Sequence, residues 1–177
     1  MKQRRAAVPR PPEAHFIACV TADRIPILAD PEIASLILNT FQFLRHRQRI
    51  ELYGYVLLPD HMHALVASED LSKEMRCLKS WTAKETVKVL QSRGETKILT
   101  CLKRARITDR LDQSFQLWRP KFHPKLIHGS NMFHQKLDYI HGNPIKHGLV
   151  KDPAAWPYSS YKSLYITGET EGLDVWF

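Results

Sequence analysis

Two short runs carry most of the chemistry this chain can offer: Asp60-His61-Met62-His63 and Tyr139-Ile140-His141-Gly142-Asn143-Pro144. Successive side chains of an extended strand point to opposite faces, so His61 and His63 share a face and Met62 takes the other. Two imidazoles so placed make a two-pronged clamp for a divalent metal, incomplete without a third ligand from elsewhere. The plainer alternative is a pair of histidines lining a polar sheet face. On a helix, Tyr139 and Asn143 stand four apart and share one side. The plainer alternative there is a half-buried tyrosine anchor and a helix-terminating Asn-Pro. Taken together, the two runs sharpen each other. The amide oxygen of Asn143 beside His61 and His63 makes three ligands, with positions left for water and a phosphate oxygen. A tyrosine one helical turn away can attack the polarised phosphorus, and the metal stabilises charge on the phosphate oxygens. A covalent phosphotyrosine conserves the energy of the broken phosphodiester, so the strand can be rejoined.

The elements that must position these groups are legible in the pattern. HFIACVT is β-branched and aromatic and predicts a strand. Asp30-Pro31 predicts a helix start, with Ile33, Ile37, Phe41 and Leu44 recurring at helical spacing through Arg45. ELYGYVLLPDHMHALVAS predicts two strands, about 51–58 and 61–67, joined by a tight turn at Pro59-Asp60. Residues 71–93 predict a long helix with Met75, Leu78 and Trp81 on or near one face, stopped by Gly94. Residues 95–115 carry no clear period. QLWRPKFHPKLI predicts a strand or an irregular edge segment, because Pro120 and Pro124 do not suit a central strand. Ser130 is the expected cap of a third helix with Phe133, Leu137 and Ile140 as its buried stripe, ended by Pro144. That stripe leaves Tyr139 and Asn143 presented together, away from the core. The order predicts an α+β fold, a central antiparallel sheet flanked by helices. The expected organisation is a basic arm over residues 1–14, a catalytic domain over 15–150 and a packed extension over 151–177.

Composition bounds the partner. The 177 residues are 44% hydrophobic and 25% charged, enough for a packed core and unlike a disordered tail. Twenty-six Lys and Arg against 18 Asp and Glu give +8, which disfavours basic partners and points to nucleic acid or an anionic membrane. Residues 71–106 hold ten Lys or Arg against three Glu, a net of +7. Within them Arg76, Ser80, Lys84 and Lys88 step by four along one helix face, as a stripe tracking a phosphate backbone would. A solvated helix face is the alternative. Trp81 and Trp118 are available to stack on bases or to fill the core. Cys19, Cys77 and Cys101 form no CxxC and no disulfide framework, which suits a reducing compartment. The basic opening lacks a signal-type apolar region, and FIACV is too short to cross a membrane, so the expectation is a cytoplasmic protein.

HMH after a strand ending in VLLPD, then LKSWTAKETVKVL, KLDYIHGNPIKHGLV and AWPYSSY, resembles the single-tyrosine HUH transposases, and most nearly their REP-associated branch. The resemblance runs from about residue 15 to residue 161. It implies a ferredoxin- or RRM-like HUH endonuclease core, His61 and His63 as metal ligands, Asn143 in place of the amide-type third ligand, and Tyr139 as nucleophile. It further implies Mg²⁺ or Mn²⁺, and cleavage and rejoining of single-stranded DNA at or near a hairpin, leaving a 5′-phosphotyrosine and a free 3′-hydroxyl. Arg76, Lys79, Lys84, Lys88 and Lys146 are then candidate DNA contacts, and a homodimer is an open expectation. KFHPKLI departs from the more acidic or Arg-bearing segment expected before the tyrosine helix. Two rivals remain: a retired transposase that binds palindromic DNA without cutting it, and a small zinc hydrolase built on HxH.

Overall fold

A computed structural model describes residues 13–106 and 114–168. Strand β1 spans Ala14–Val20, helix α1 Pro31–His46, strand β2 Glu51–Leu58 and strand β3 His61–Ala67. Helix α2 spans Leu71–Ser92, helix α3 Thr96–Arg104, strand β4 Lys125–Leu126 and helix α4 Gly129–Lys146. The four strands form one antiparallel sheet in the order β2-β3-β1-β4. This is the expected α+β architecture.

The side-chain alternation of β3 divides the protein into two layers. Met62, Ala64 and Val66 face Ile33, Ile37 and Phe41 of α1 and Met75 and Leu78 of α2. Leu65 and Ala67 face Phe133, Leu137 and Ile140 of α4. All seven residues of β3 are buried, as expected for a strand covered on both faces, and His61 and His63 lie on the α4 side.

Local signals explain the helix ends. Asp30 accepts from the Glu32 and Ile33 amides at 3.1 and 3.2 Å, with Pro31 at the first helical position. Arg93, at the far end of α2, donates to Asp30 at 2.7 Å and to Glu32, clamping the start of α1 to the end of α2. That guanidinium holds the Asp30 carboxyl below its ordinary value. Gly94 takes a φ of +68°, the left-handed conformation that stops α2. Gly54 serves a different need. It sits at a register shift in β2, and a Cβ there would lie 2.5 Å from the Leu137 side chain, so the missing side chain lets α4 close onto the sheet.

Four expectations need correction. Residues 96–104, which show no clear period, form helix α3, buried chiefly through Leu102. Helix α4 begins at Gly129 with His128 at the cap, and Ser130 is not the capping residue. Pro144 does not end α4 but lies inside its last turn. There its missing N–H costs one bond, while His147 and Leu149 amides close the turn onto the Asn143 and Pro144 carbonyls at 2.9 Å. Trp81 is 55% exposed, because buried Thr82 and Thr86 take the stripe positions below Leu78. The Trp118 indole is in the core, donating to Thr82 Oγ1 at 2.9 Å. The proline-rich segment before α4 is indeed an edge. Thr21 bridges Trp118, and β4 pairs only with β1.

Residues 151–168 lie over the β2 edge. Trp156 donates to the Leu57 carbonyl at 2.7 Å, and the Ser160 hydroxyl accepts from the Tyr55 amide at 2.9 Å. Ser160 is also 2.8 Å from Nε2 of buried His141, tying this segment to α4. Most of the arm expected over residues 1–14, and the chain beyond residue 168, lie outside the described residues. Among the described residues no helix is long and apolar enough to cross a membrane. Cys19 is a free, buried thiol whose pKa burial raises to about 11.

Burial pushes the His141 imidazole down to about 4. Its folded form is therefore neutral where an unfolded histidine, titrating near 6.5, takes up a proton. Its contribution is full above pH 6.5 and drains away as the pH falls towards 4, a loss of about 3 kcal/mol. Urea titrations at stepped pH should show this decline, and His141→Gln should flatten it. An unchanged slope in that variant would remove His141 as its source.

Candidate active site

The β2–β3 turn is pinned before it presents any histidine. Thr21 and Leu28 amides donate to the Asp60 and Pro59 carbonyls at 2.9 and 2.8 Å. The Asp60 carboxylate accepts from Arg24 at 2.9 Å and lies 2.5 Å from Nδ1 of His61. Partial burial raises the Asp60 pKa, but the bonds to His61 and Arg24 outweigh it and leave the carboxyl below its ordinary value. With Nδ1 engaged, His61 has its Nε2 free to serve as a ligand atom, the usual role of a carboxylate behind a metal-binding imidazole.

His61 and His63 lie edge to face with ring centres 5.0 Å apart, both buried. Phe16 of β1 stacks on His63 at 5.1 Å. Burial first, and the neighbouring His61 next, push the His63 imidazole down to about 4. Its Nδ1 is buried without a well-formed hydrogen bond, only a weak contact with the Ile17 backbone offsetting the shift. A neutral, buried, under-bonded imidazole is a poor resting state and a good ligand. The donor set therefore fits a divalent metal.

Helix α4 places Tyr139 over this pair. Its ring stands 5.4 Å from that of His63 and 5.8 Å from Phe16, and the residue is 40% exposed. Asn143 shares its ridge but is only 1% exposed, and its amide nitrogen donates to the Tyr139 carbonyl at 2.5 Å. The two are thus not presented alike: Tyr139 faces solvent and Asn143 is buried. That bond engages the nitrogen and leaves the amide oxygen as the group of Asn143 suited to a metal. Among the described residues, no three His, Cys, Asp or Glu are grouped so as to hold a metal ion. Lys146 joins the same cluster, its Nζ 5.6 Å from the Tyr139 ring centre.

The other basic candidates lie across the sheet. Arg76, Lys79, Lys84 and Lys88 line a groove of about 1010 Å³ between α2 and residues 114–123, joined by Lys121 and, among the described residues, by no acidic one. Lys79 donates to the Arg119 carbonyl at 2.5 Å and Lys88 pairs with Glu85 at 2.7 Å. Sequence reasoning missed three neighbours of the site. Phe16 forms its floor, Lys136 lies 5.5 Å from the Tyr139 ring centre, and His147 has its ring 5.4 Å from that of His61. Only Lys136 left a trace, standing one helical turn before the tyrosine.

The fold has solved counterparts among the tyrosine transposases. A solved REP-associated tyrosine transposase, bound in that structure to a REP hairpin, superposes with a TM-score of 0.62 at 21% identity, covering 91% of this chain and 83% of that one. In sequence the chain is similar to the REP-associated tyrosine transposase of Escherichia coli K12, at 28% identity over 138 residues, 72% of this chain and 68% of that one. A Haemophilus influenzae relative matches over 45 residues at 42% identity, 25% of this chain and 26% of its own. No family model matches the chain. The resemblance to the REP-associated tyrosine transposases thus holds in both sequence and fold.

Proposed function

We propose that the protein is a transposase-like enzyme of hairpin-forming DNA that cleaves and rejoins a single strand through Tyr139. The observation that carries this reading is the Tyr139 ring 5.4 Å from His63, over the buried His61–His63 pair. A Mg²⁺ or Mn²⁺ ion held by His61, His63 and the Asn143 amide oxygen would supply charge stabilisation at the phosphate oxygens. Tyr139 Oη forms the new bond to phosphorus as the bond to the 3′-oxygen breaks. The phenol proton passes to solvent, and the departing 3′-oxygen takes one up. The product is a 5′-phosphotyrosine with a free 3′-hydroxyl, and the reverse step rejoins the strand. Asp60 keeps the His61 ring turned for ligation, while half-exposed Tyr139 remains reachable by a DNA strand.

The α2 groove, lined by Arg76, Lys84 and Lys88 among other described residues, suits the flanking phosphates. The similarity to a transposase solved with a REP hairpin supports a hairpin as substrate. The test is a covalent protein–DNA adduct on a denaturing gel when the protein meets a hairpin oligonucleotide with a single-stranded flank and Mg²⁺ or Mn²⁺. Binding without an adduct under either ion would favour the palindrome-binding alternative.

A further inference from the structure

Lys136, Tyr139, Asn143 and Lys146 are spaced three, four and three apart and so form one ridge of α4. The Lys136 ammonium lies 5.5 Å from the Tyr139 ring centre and 5.2 Å from that of Phe16, and the Lys146 ammonium lies 5.6 Å from Tyr139. Two cations from the turns before and after it therefore converge on the same phenol. Neither is paired with a carboxylate among the described residues. The groups facing them from β3 and from the end of α4 are imidazoles, those of His61, His63 and His147. The nearby Asp60 carboxylate is already engaged by His61 and Arg24. Asp138, next in sequence to the tyrosine, lines a different hollow with Tyr161 and Tyr165. The described residues thus gather two cations around the exposed Tyr139 phenol and pair neither with a carboxylate. Cation–π contact holds each ammonium in place at modest energy, without neutralising it.

We propose that Lys136 and Lys146 form a two-armed clamp for a DNA phosphodiester, astride Tyr139. The clamp rests on the reading above that Tyr139 is the nucleophile. It assigns the reacting phosphate a second set of partners, independent of the metal. Lys136 holds it from the sheet side, over the Phe16 ring, and Lys146 from the open end of the helix. The apolar Phe16 floor thins the water around the Lys136 ammonium and strengthens its pull on a phosphate oxygen. Such a clamp fixes the phosphorus in line with the phenol oxygen and takes up charge as the bond to the 3′-oxygen breaks.

Two measurements on Lys136→Met, Lys146→Met and the double variant test the clamp. The first is the salt dependence of binding to a hairpin oligonucleotide with a single-stranded flank, in EDTA and with Tyr139→Phe added to block chemistry. Each lost phosphate contact on a single strand lowers the slope of log K against log salt by about 0.7, so the double variant should lose about 1.4. The second is single-turnover adduct formation at saturating DNA with Mn²⁺. Each Met variant should slow it about 10–100-fold, while Lys136→Arg and Lys146→Arg, which keep the charge, should stay within about threefold of wild type. Thermal unfolding of each variant confirms folding. An unchanged salt slope in the double variant overturns the clamp. So does a reduced slope with a normal adduct rate, which places the lysines on a remote phosphate. If wild type forms no adduct at all, the cleavage reading fails, and the salt slope still decides whether these lysines hold DNA.

Discussion

Tyr139→Phe should abolish the covalent adduct, lowering its rate by roughly 10⁴-fold or more, while hairpin affinity stays within about twofold. The size of the effect follows from the chemistry: Phe offers no atom that can bond to phosphorus, and nothing about a binding site replaces it. The clarity of the result follows from the structure. Tyr139 is 40% exposed, and its hydroxyl makes no hydrogen bond to another described residue. The contacts that hold it are made by its ring, with His63, Phe16, Lys136 and Lys146. Phe keeps all of these, so the variant should unfold within about 0.5 kcal/mol of wild type. An adduct that survives in Tyr139→Phe would move the nucleophile to another tyrosine. Tyr165 is the other half-exposed one, but it packs on Tyr161 and His141, away from the His61–His63 pair.

The second large effect belongs to His63. His63→Ala should lower adduct formation by about 10³-fold and remove the stabilisation that Mn²⁺ gives the wild-type protein in thermal unfolding. A ligand must be deprotonated to bind. Because burial holds the His63 imidazole down to about 4, the wild-type protein should still be stabilised by Mn²⁺ at pH 6, where a free histidine is mostly protonated. Two imidazoles also favour Mn²⁺ over Mg²⁺, so Mn²⁺ should act at the lower concentration. His63 fills space between Phe16 and Tyr139, and its loss costs about 2–3 kcal/mol from the cavity alone. His61→Ala provides the control, because His61 lies at the strand end beside Asp60 and leaves the Phe16 stack intact. If both variants keep the Mn²⁺ effect, the metal lies elsewhere.

The parts legible in the sequence share a physical cause. Strand β2 ends and β3 begins where Pro59 and Asp60 interrupt an apolar run, and α1 starts where Asp30 and Pro31 supply a cap and a preset φ. These are local signals, within reach of a few residues. Helix α3 is hard to read because it is only nine residues long, so Ile98, Leu99 and Leu102 give barely one repeat of the helical period. Trp81 misled for a different reason. A tryptophan near a buried face reads as core, yet Thr82 and Thr86 hold the inward positions, and Thr82 is kept there by bonds to Leu78 and Trp118. Pro144 reads as a stop, but a proline in a last turn removes only one bond, and the Asn143 side chain caps the Tyr139 carbonyl beside it.

The amino-acid sequence by itself determined the residue types and their periods: two histidines on one strand face, a tyrosine and an amide on one helix ridge, and a basic helix between them. Period and local capping follow from nearest neighbours along the chain, so they need no tertiary partner. Only the tertiary structure decided that α4 lies on the β3 face carrying the histidines and that α2 lies on the other. That choice rests on packing between residues far apart in sequence, among them Gly54 against Leu137 and Ser160 against His141. The same packing brings Phe16 and Lys136 to Tyr139 and sets the basic groove of α2 across the sheet.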